Sequence, residues 1–176
     1  MDKTVKNTID KVSGNYKNTE DKAQEIDDAL DSYEAAAANY NSVADEMKPR
    51  FEKRADYKRR VNELKVELQN QDPGSNIDTV NKNKYQAILT KYNTAVKNYN
   101  SYTTDLDKDY AEKYKPLLDK YESMANQAYN NIAPLTTEYN QLKELLVSSA
   151  DQLDDALKPV QAATDKAFVT AMVGDD

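Results

Sequence analysis

The sequence predicts an all-α fold: an elongated, antiparallel three-helix bundle of coiled-coil type, from which a two-helix hairpin projects. Apolar or tyrosine residues recur every three or four positions from Val5 to Met47 in one heptad phase. A second stripe of the same kind fills residues 85–128. Of the 176 residues only 39% are apolar and 31% are charged, which suits narrow helical seams better than a compact globule.

The first predicted helix, helix A, spans 4–71. Gly14 lies inside it at a cost of about 1 kcal/mol relative to alanine, which long flanking helices absorb. Pro49 should interrupt the hydrogen-bond ladder. The seam nevertheless keeps its spacing beyond Pro49 as far as Leu68. We therefore expect a kink near residue 49 rather than the end of the helix.

Two further helices follow, each after a turn. The run Asp72–Asn76 predicts the first turn and precedes helix B at 77–131, with a kink or a local break expected at Pro116. The run Asn130–Pro134 predicts the second turn and precedes helix C at 135–172, which Pro159 should kink.

These lengths predict how the helices pack. Short turns make neighbouring helices antiparallel, and the helical rise of about 1.5 Å per residue sets how far each one reaches. The segments 4–45, 94–131 and 135–172 would then form the three-helix body. The segments 46–71 and 77–93 would form the projecting hairpin, and 1–176 would be a single domain.

The composition argues against catalysis. The chain has no histidine and no cysteine, which removes the usual general base, the thiolate nucleophile and the commonest metal ligands. We expect no enzyme activity, no cofactor and no metal. The segment Asp105–Asp109 imitates the start of an EF-hand loop, but Tyr110 and Pro116 stand where that loop needs glycine and glutamate.

Charge and hydropathy limit the partners and the location. The net charge of −7 argues against nucleic acid as a partner of the whole chain. No run approaches the roughly 20 apolar residues of a membrane span, and the N-terminus lacks the apolar stretch of a signal peptide. Two interpretations stay open: a cytoplasmic or virion protein, or an exported protein whose export signal is not in this chain.

Tyrosine is the most unusual residue, with thirteen copies against two phenylalanines. Eight of them fall on or beside the seams, where the ring packs and the hydroxyl reaches water. An aromatic platform for sugar rings is the alternative function. Four tyrosines fit the seams less well and are the better candidates for exposed contacts: Tyr57, Tyr102, Tyr114 and Tyr129.

A basic segment is the best candidate binding surface. Residues 48–65 hold eight basic and three acidic side chains, and all four arginines of the chain lie in 50–60. Such a surface suits an anionic polymer such as teichoic acid, nucleic acid, or an anionic membrane. The alternative is a solvated helix face paired with acidic neighbours. The candidate binding residues are Lys48, Arg50, Lys53, Arg54, Tyr57, Lys58, Arg59 and Arg60.

The tyrosine-spaced helix at 85–114 and the Lys-Pro-Leu-Leu segment at 115–118 resemble the cell-wall-binding helical lipoproteins of low-GC Gram-positive bacteria. The resemblance implies an exported, membrane-tethered, non-catalytic protein that faces the cell wall. The cysteine that would carry the lipid is missing from this chain.

Two functional hypotheses follow. The first is a non-catalytic binding or structural protein of the bacterial cell envelope that contacts wall polymer or a protein partner through the basic hairpin. The alternative is a phage or intracellular structural or scaffold protein that assembles through helix–helix contacts. If the hairpin leaves its seam uncovered, this second hypothesis also predicts a homo-oligomer.

Overall fold

The computed structural model describes residues 2–71 and 78–173. They form helix α1 (Lys3–Asn70), helix α2 (Thr79–Asp109), a π turn (Tyr110–Tyr114) and helix α3 (Lys115–Val173). The prediction of an all-α protein is confirmed, since these two ranges contain no strand. The turn predicted at 72–76 and the start of helix B at residue 77 lie outside the described residues.

Side-chain caps mark the beginnings of α1 and α2. The carboxylate of Asp2 accepts a hydrogen bond from the Thr4 backbone N–H at 2.8 Å, and that of Asp78 accepts one from the Asn81 N–H at 2.7 Å. Each cap satisfies a backbone donor that has no partner inside its helix.

The prolines do not end the helices. Pro49 lies inside α1, and both Pro134 and Pro159 lie inside α3. At Pro116 the predicted local break takes the form of the π turn just before it. The proline ring clashes with the carbonyl four residues earlier in a regular helix, here that of Glu112, and the wider π turn contains this residue.

The turn predicted at Asn130–Pro134 is wrong, because α3 runs through it from Lys115 to Val173. Half-buried Ile132, Leu135, Tyr139 and Leu142 keep the helical seam spacing on both sides of the proline. Packing of this seam outweighs the loss of one backbone hydrogen bond. The predicted helix C is therefore a continuation of α3, and the three-helix packing that depended on the turn is not reproduced.

The chain divides into two compact units. Unit 1 contains residues 2–34 and 125–173, and unit 2 contains residues 35–71 and 78–124. The divisions fall inside α1, between Glu34 and Ala35, and inside α3, between Met124 and Ala125.

Unit 1 pairs the N-terminal half of α1 with α3 in antiparallel orientation. Its centre is polar: the Asn15 amide donates to Ser149 Oγ at 3.0 Å and to the Leu145 carbonyl at 3.3 Å. Ser149 is fully buried, and its hydroxyl donates to the Leu146 carbonyl at 2.9 Å. A buried, satisfied polar contact of this kind favours one register between two helices over its neighbours.

A cross-helix ion pair fixes the same register further along unit 1. Lys22 Nζ lies 2.8 Å from Glu138 on α3 and 2.8 Å from Glu25 on its own helix. Hydrogen bonds to Glu138 and then Glu25 raise the pKa of Lys22 to about 12. The Tyr33 and Tyr129 rings meet with centroids 6.0 Å apart.

Unit 2 holds two apolar clusters between α1 and the chain that returns along it. The first joins Val43 and Met47 to Tyr114, and the second joins Val61 and Leu64 to Ala95. Tyr114 is only 3% exposed, so the prediction that it is an exposed contact residue is wrong. The π turn explains the error, because it adds a residue to one turn and brings Tyr114 into the seam.

Candidate functional site

Arg50 is held inside unit 2 by the opposite helix. Its guanidinium lies 2.7 Å from the Asp109 carboxylate, donates to the Tyr114 hydroxyl at 3.2 Å and covers the Tyr114 ring at 5.7 Å. The bonds to Tyr114 and then to Asp109 hold the pKa of the guanidinium above its ordinary value. Only 27% of the side chain is exposed. Arg50 thus connects α1 to α2 and the π turn.

Arg54 has a similar, weaker role. Its guanidinium lies 3.7 Å from the Asp107 carboxylate on α2 and 5.0 Å from the centre of the Phe51 ring. The carboxylates of Asp107 and Asp109, part of the segment that imitates an EF-hand loop, therefore face arginines. For Arg50 and Arg54 the structure agrees with the interpretation of a basic face paired with acidic neighbours.

Two lysines of the basic segment lie over tyrosine rings. Lys53 Nζ is 5.2 Å from the centre of the Tyr102 ring and 5.8 Å from that of Tyr57, and these two rings are 5.2 Å apart. Lys58 Nζ is 5.1 Å from the centre of the Tyr99 ring. Tyr57 and Tyr102, which the sequence analysis identifies as candidates for exposed contacts, are half-buried against one another. Their faces attract the ammonium groups.

Arg59 and Arg60 are more exposed than Arg50 and Arg54 and pair within their own helix. Arg59 pairs with Asp56 at 2.8 Å and Arg60 approaches Glu63 at 3.8 Å, in both cases on α1 itself. The two arginine side chains are 66% and 55% exposed. Exposed pairs of this spacing contribute only about 0.3–0.5 kcal/mol, so an anionic ligand could replace the intrahelical partners at little cost.

Helix α2 contributes cations that the sequence analysis missed. Residues 79–104 contain four lysines and no acidic residue: Lys82, Lys84, Lys91 and Lys97. Since α2 packs against α1 through Leu64 and Ala95, these lysines share one helix pair with the basic segment. We call residues 48–71 and 79–104 the basic arm. It carries twelve basic and four acidic side chains, and the lack of acids in 79–104 was the signal that could have revealed it.

Exposed tyrosines occur in unit 1. Tyr16 and Tyr129 are 60% and 63% exposed, so the expectation for Tyr129 is confirmed. The Tyr129 ring contacts the Tyr33 ring and is not part of a row of aromatic rings. The heptad pattern places Tyr16 on the seam, but the structure leaves it outside.

Within residues 2–71 and 78–173, no three acidic side chains converge where they could hold a metal ion. Among the same residues, no helix is both long enough and apolar enough to cross a bilayer. Comparison with known proteins adds no relative: no protein-family model, curated protein or solved structure matches the chain.

Proposed function

We propose that this chain is a non-catalytic helical binding protein of the bacterial cell envelope, and that its basic arm contacts an anionic polymer of the wall. The observation that carries the proposal is the concentration of cations on one helix pair, twelve against four acids, in a chain whose net charge is −7. A local positive field of this kind attracts a polyanion even when the whole protein is acidic.

Three of the binding residues predicted from the sequence, Lys48, Arg59 and Arg60, remain on the proposed contact surface, and five further lysines join them. Arg50 and Arg54 are occupied by Asp109 and Asp107. The outer cations are the better contacts, because they lie exposed and lack a cross-helix carboxylate among the described residues. They are Lys48, Arg59, Arg60, Lys65, Lys82, Lys84, Lys91 and Lys97.

The resemblance to cell-wall-binding lipoproteins supports the location given in this proposal. The tyrosine- and lysine-rich segment on which that resemblance rests, 85–114, contributes residues 85–104 to the basic arm. The absence of histidine and cysteine supports a role without catalysis.

Charge reversal tests the proposal. In one variant Arg59, Arg60, Lys65 and Lys91 are changed to Glu. Arg50 and Arg54 are left intact because they form ion pairs with α2. In the matched control Lys3, Lys6, Lys17 and Lys143, all exposed in unit 1, are changed to Glu. The two variants have the same net charge and differ only in where it lies.

We expect purified wall polymer to retain the wild-type chain and the control variant but not the variant of the basic arm. Retention of the wild type should weaken steeply as salt is raised, as for other polyanion complexes. Equal retention of all three proteins would remove the basic arm as the binding surface.

A second candidate function, assembly with other helices, is favoured by the end of α3. From residue 161 to Val173 every described side chain is exposed. Several of these side chains are large and apolar, at 65% exposure for Phe168 and 71% for Met172. Apolar side chains left uncovered in this way favour association.

A further inference from the structure

A groove runs along the basic arm between α1 and α2, with a volume of about 390 Å³. Its floor includes Leu64 and Ala95, which are 1% and 9% exposed and belong to the apolar cluster beneath. Its walls carry polar and aromatic side chains from both helices: Tyr57, Arg60, Thr90, Lys91, Thr94 and Asn98. The groove is therefore a concave surface that combines charge, hydrogen-bonding groups and an apolar base.

The two cations of the groove come from opposite helices. Arg60 reaches it from α1, with Glu63 as a distant neighbour at 3.8 Å. Lys91 reaches it from α2 and has no carboxylate within 4.0 Å among the described residues. Guanidinium and ammonium groups that face one space from two sides suit a single phosphate, which can accept from both.

The neutral polar groups form a row. Thr90, Thr94 and Asn98 stand four residues apart on α2, so their side chains lie one above another on the same face. The Thr90 hydroxyl donates to the Gln86 carbonyl at 2.9 Å, which leaves its oxygen free to accept a hydrogen bond from a ligand. Asn98 offers both a donor and an acceptor.

We propose that this groove binds one repeat of a polyol- or sugar-phosphate polymer. The phosphate lies between Arg60 and Lys91, and the hydroxyl groups of the repeat lie along Thr90, Thr94 and Asn98. The carbon skeleton covers Tyr57, Leu64 and Ala95. This inference rests on the proposed function and gives the class of polymer that the basic arm recognises.

The ratio of groups in the groove favours this ligand over an acidic peptide. Two cations stand beside three neutral polar side chains. A repeat with one phosphate and several hydroxyls satisfies both sets. An acidic peptide would also use the cations, but it would offer only backbone amides to the row on α2, whereas each hydroxyl of a polyol can both donate and accept.

Defined probes test the proposal with the full chain. The probes are a synthetic glycerol-phosphate oligomer and poly-aspartate of equal charge, with affinities measured by calorimetry at fixed salt. The groove variant combines Arg60→Gln with Lys91→Gln. Its control combines Arg59→Gln with Lys97→Gln, which removes the same charge from the same two helices outside the groove. A third variant, Thr94→Val, removes a hydroxyl and no charge.

We expect the groove variant to bind the glycerol-phosphate oligomer at least about tenfold more weakly than the wild type, and the control no more than about threefold more weakly. Thr94→Val should weaken the glycerol-phosphate complex and leave the poly-aspartate complex unchanged. Far-UV circular dichroism verifies that all variants remain helical.

The outcomes separate this inference from the proposed function. Equal losses in the groove variant and its control would overturn the groove while leaving the basic arm as a diffuse polyanion surface. Tighter binding of poly-aspartate than of glycerol phosphate would overturn the ligand chemistry in favour of an acidic peptide. No binding of either probe by the wild type would overturn the proposed function and the groove together.

Discussion

Arg50 and Arg59 are the same residue type on the same helix, yet their surroundings give them different roles. Arg50 faces α2 and the π turn, where Asp109 and Tyr114 occupy its hydrogen-bond donors. Arg59 faces solvent and meets only Asp56 of its own helix. The first arginine stabilises the packing of two elements, whereas the second is available to a ligand.

This difference predicts unequal effects of removing the two charges. Arg50→Met should lower the free energy of unfolding by about 1–2 kcal/mol, because it leaves the Asp109 carboxylate and the Tyr114 hydroxyl without their partner. Arg59→Met should change it by no more than about 0.5 kcal/mol. Urea denaturation followed by circular dichroism compares them, and equal stability of the two variants would refute a structural role for Arg50.

The basic segment can be identified from the sequence. Which of its arginines stabilise packing and which are available to a ligand cannot. Eight basic residues in 48–65 are visible in the chain, and so is their separation from the acids. Which of them meets a carboxylate depends on the register between α1 and α2. That register includes the π turn at Tyr110–Tyr114, which has no simple sequence signal apart from the following Pro116. Tyr114 was misjudged for the same reason.

At the scale of elements, heptad spacing was a better guide than turn propensity. The stripes predicted long helices, and α1 and α3 are long. The run Asn130–Pro134 has the composition of a turn, but Ile132 and Leu135 stay at seam positions and are half-buried. A proline costs a helix about 3 kcal/mol locally, and the summed packing of a long seam exceeds that cost.

Pro134 is therefore a site where stability can be gained. Pro134→Ala should raise the free energy of unfolding, by up to about 3 kcal/mol, because alanine restores the missing backbone hydrogen bond and removes the clash with the preceding turn. Denaturant unfolding of the two proteins measures the gain. A chain that turned at 130–134 would gain nothing from the substitution and would lose the conformational restriction that proline gives to a loop.

At the scale of the whole molecule, the net charge of −7 conceals an uneven distribution. The segments 1–34 and 125–176 carry eight basic and seventeen acidic residues, whereas 35–124 carries sixteen basic and fourteen acidic ones. The chain is thus able to repel polyanions through one part of its sequence and attract them through another. The net charge alone would predict a positively charged partner, whereas the basic arm attracts a negatively charged one.

Self-association has an electrostatic route and an apolar route, and salt distinguishes between them. Contacts between the acidic segments of one chain and the basic arm of another should disappear as salt is raised. Contacts through the exposed apolar end of α3, which includes Phe168 and Met172, should persist. If assembly is the function, the sedimentation coefficient of the wild type should rise with protein concentration at high salt.

Two pairs of substitutions locate that association. Phe168→Ser with Met172→Ser should abolish the rise, because these side chains supply the apolar area at the end of α3. The matched control, Tyr16→Ser with Val66→Ser, removes side chains that are 60% and 56% exposed elsewhere and should leave the rise unchanged. A wild-type chain that sediments as a monomer at every concentration would eliminate assembly through α3. That result would leave the proposed contact between the basic arm and a polymer intact, because this contact does not require the chain to associate through α3.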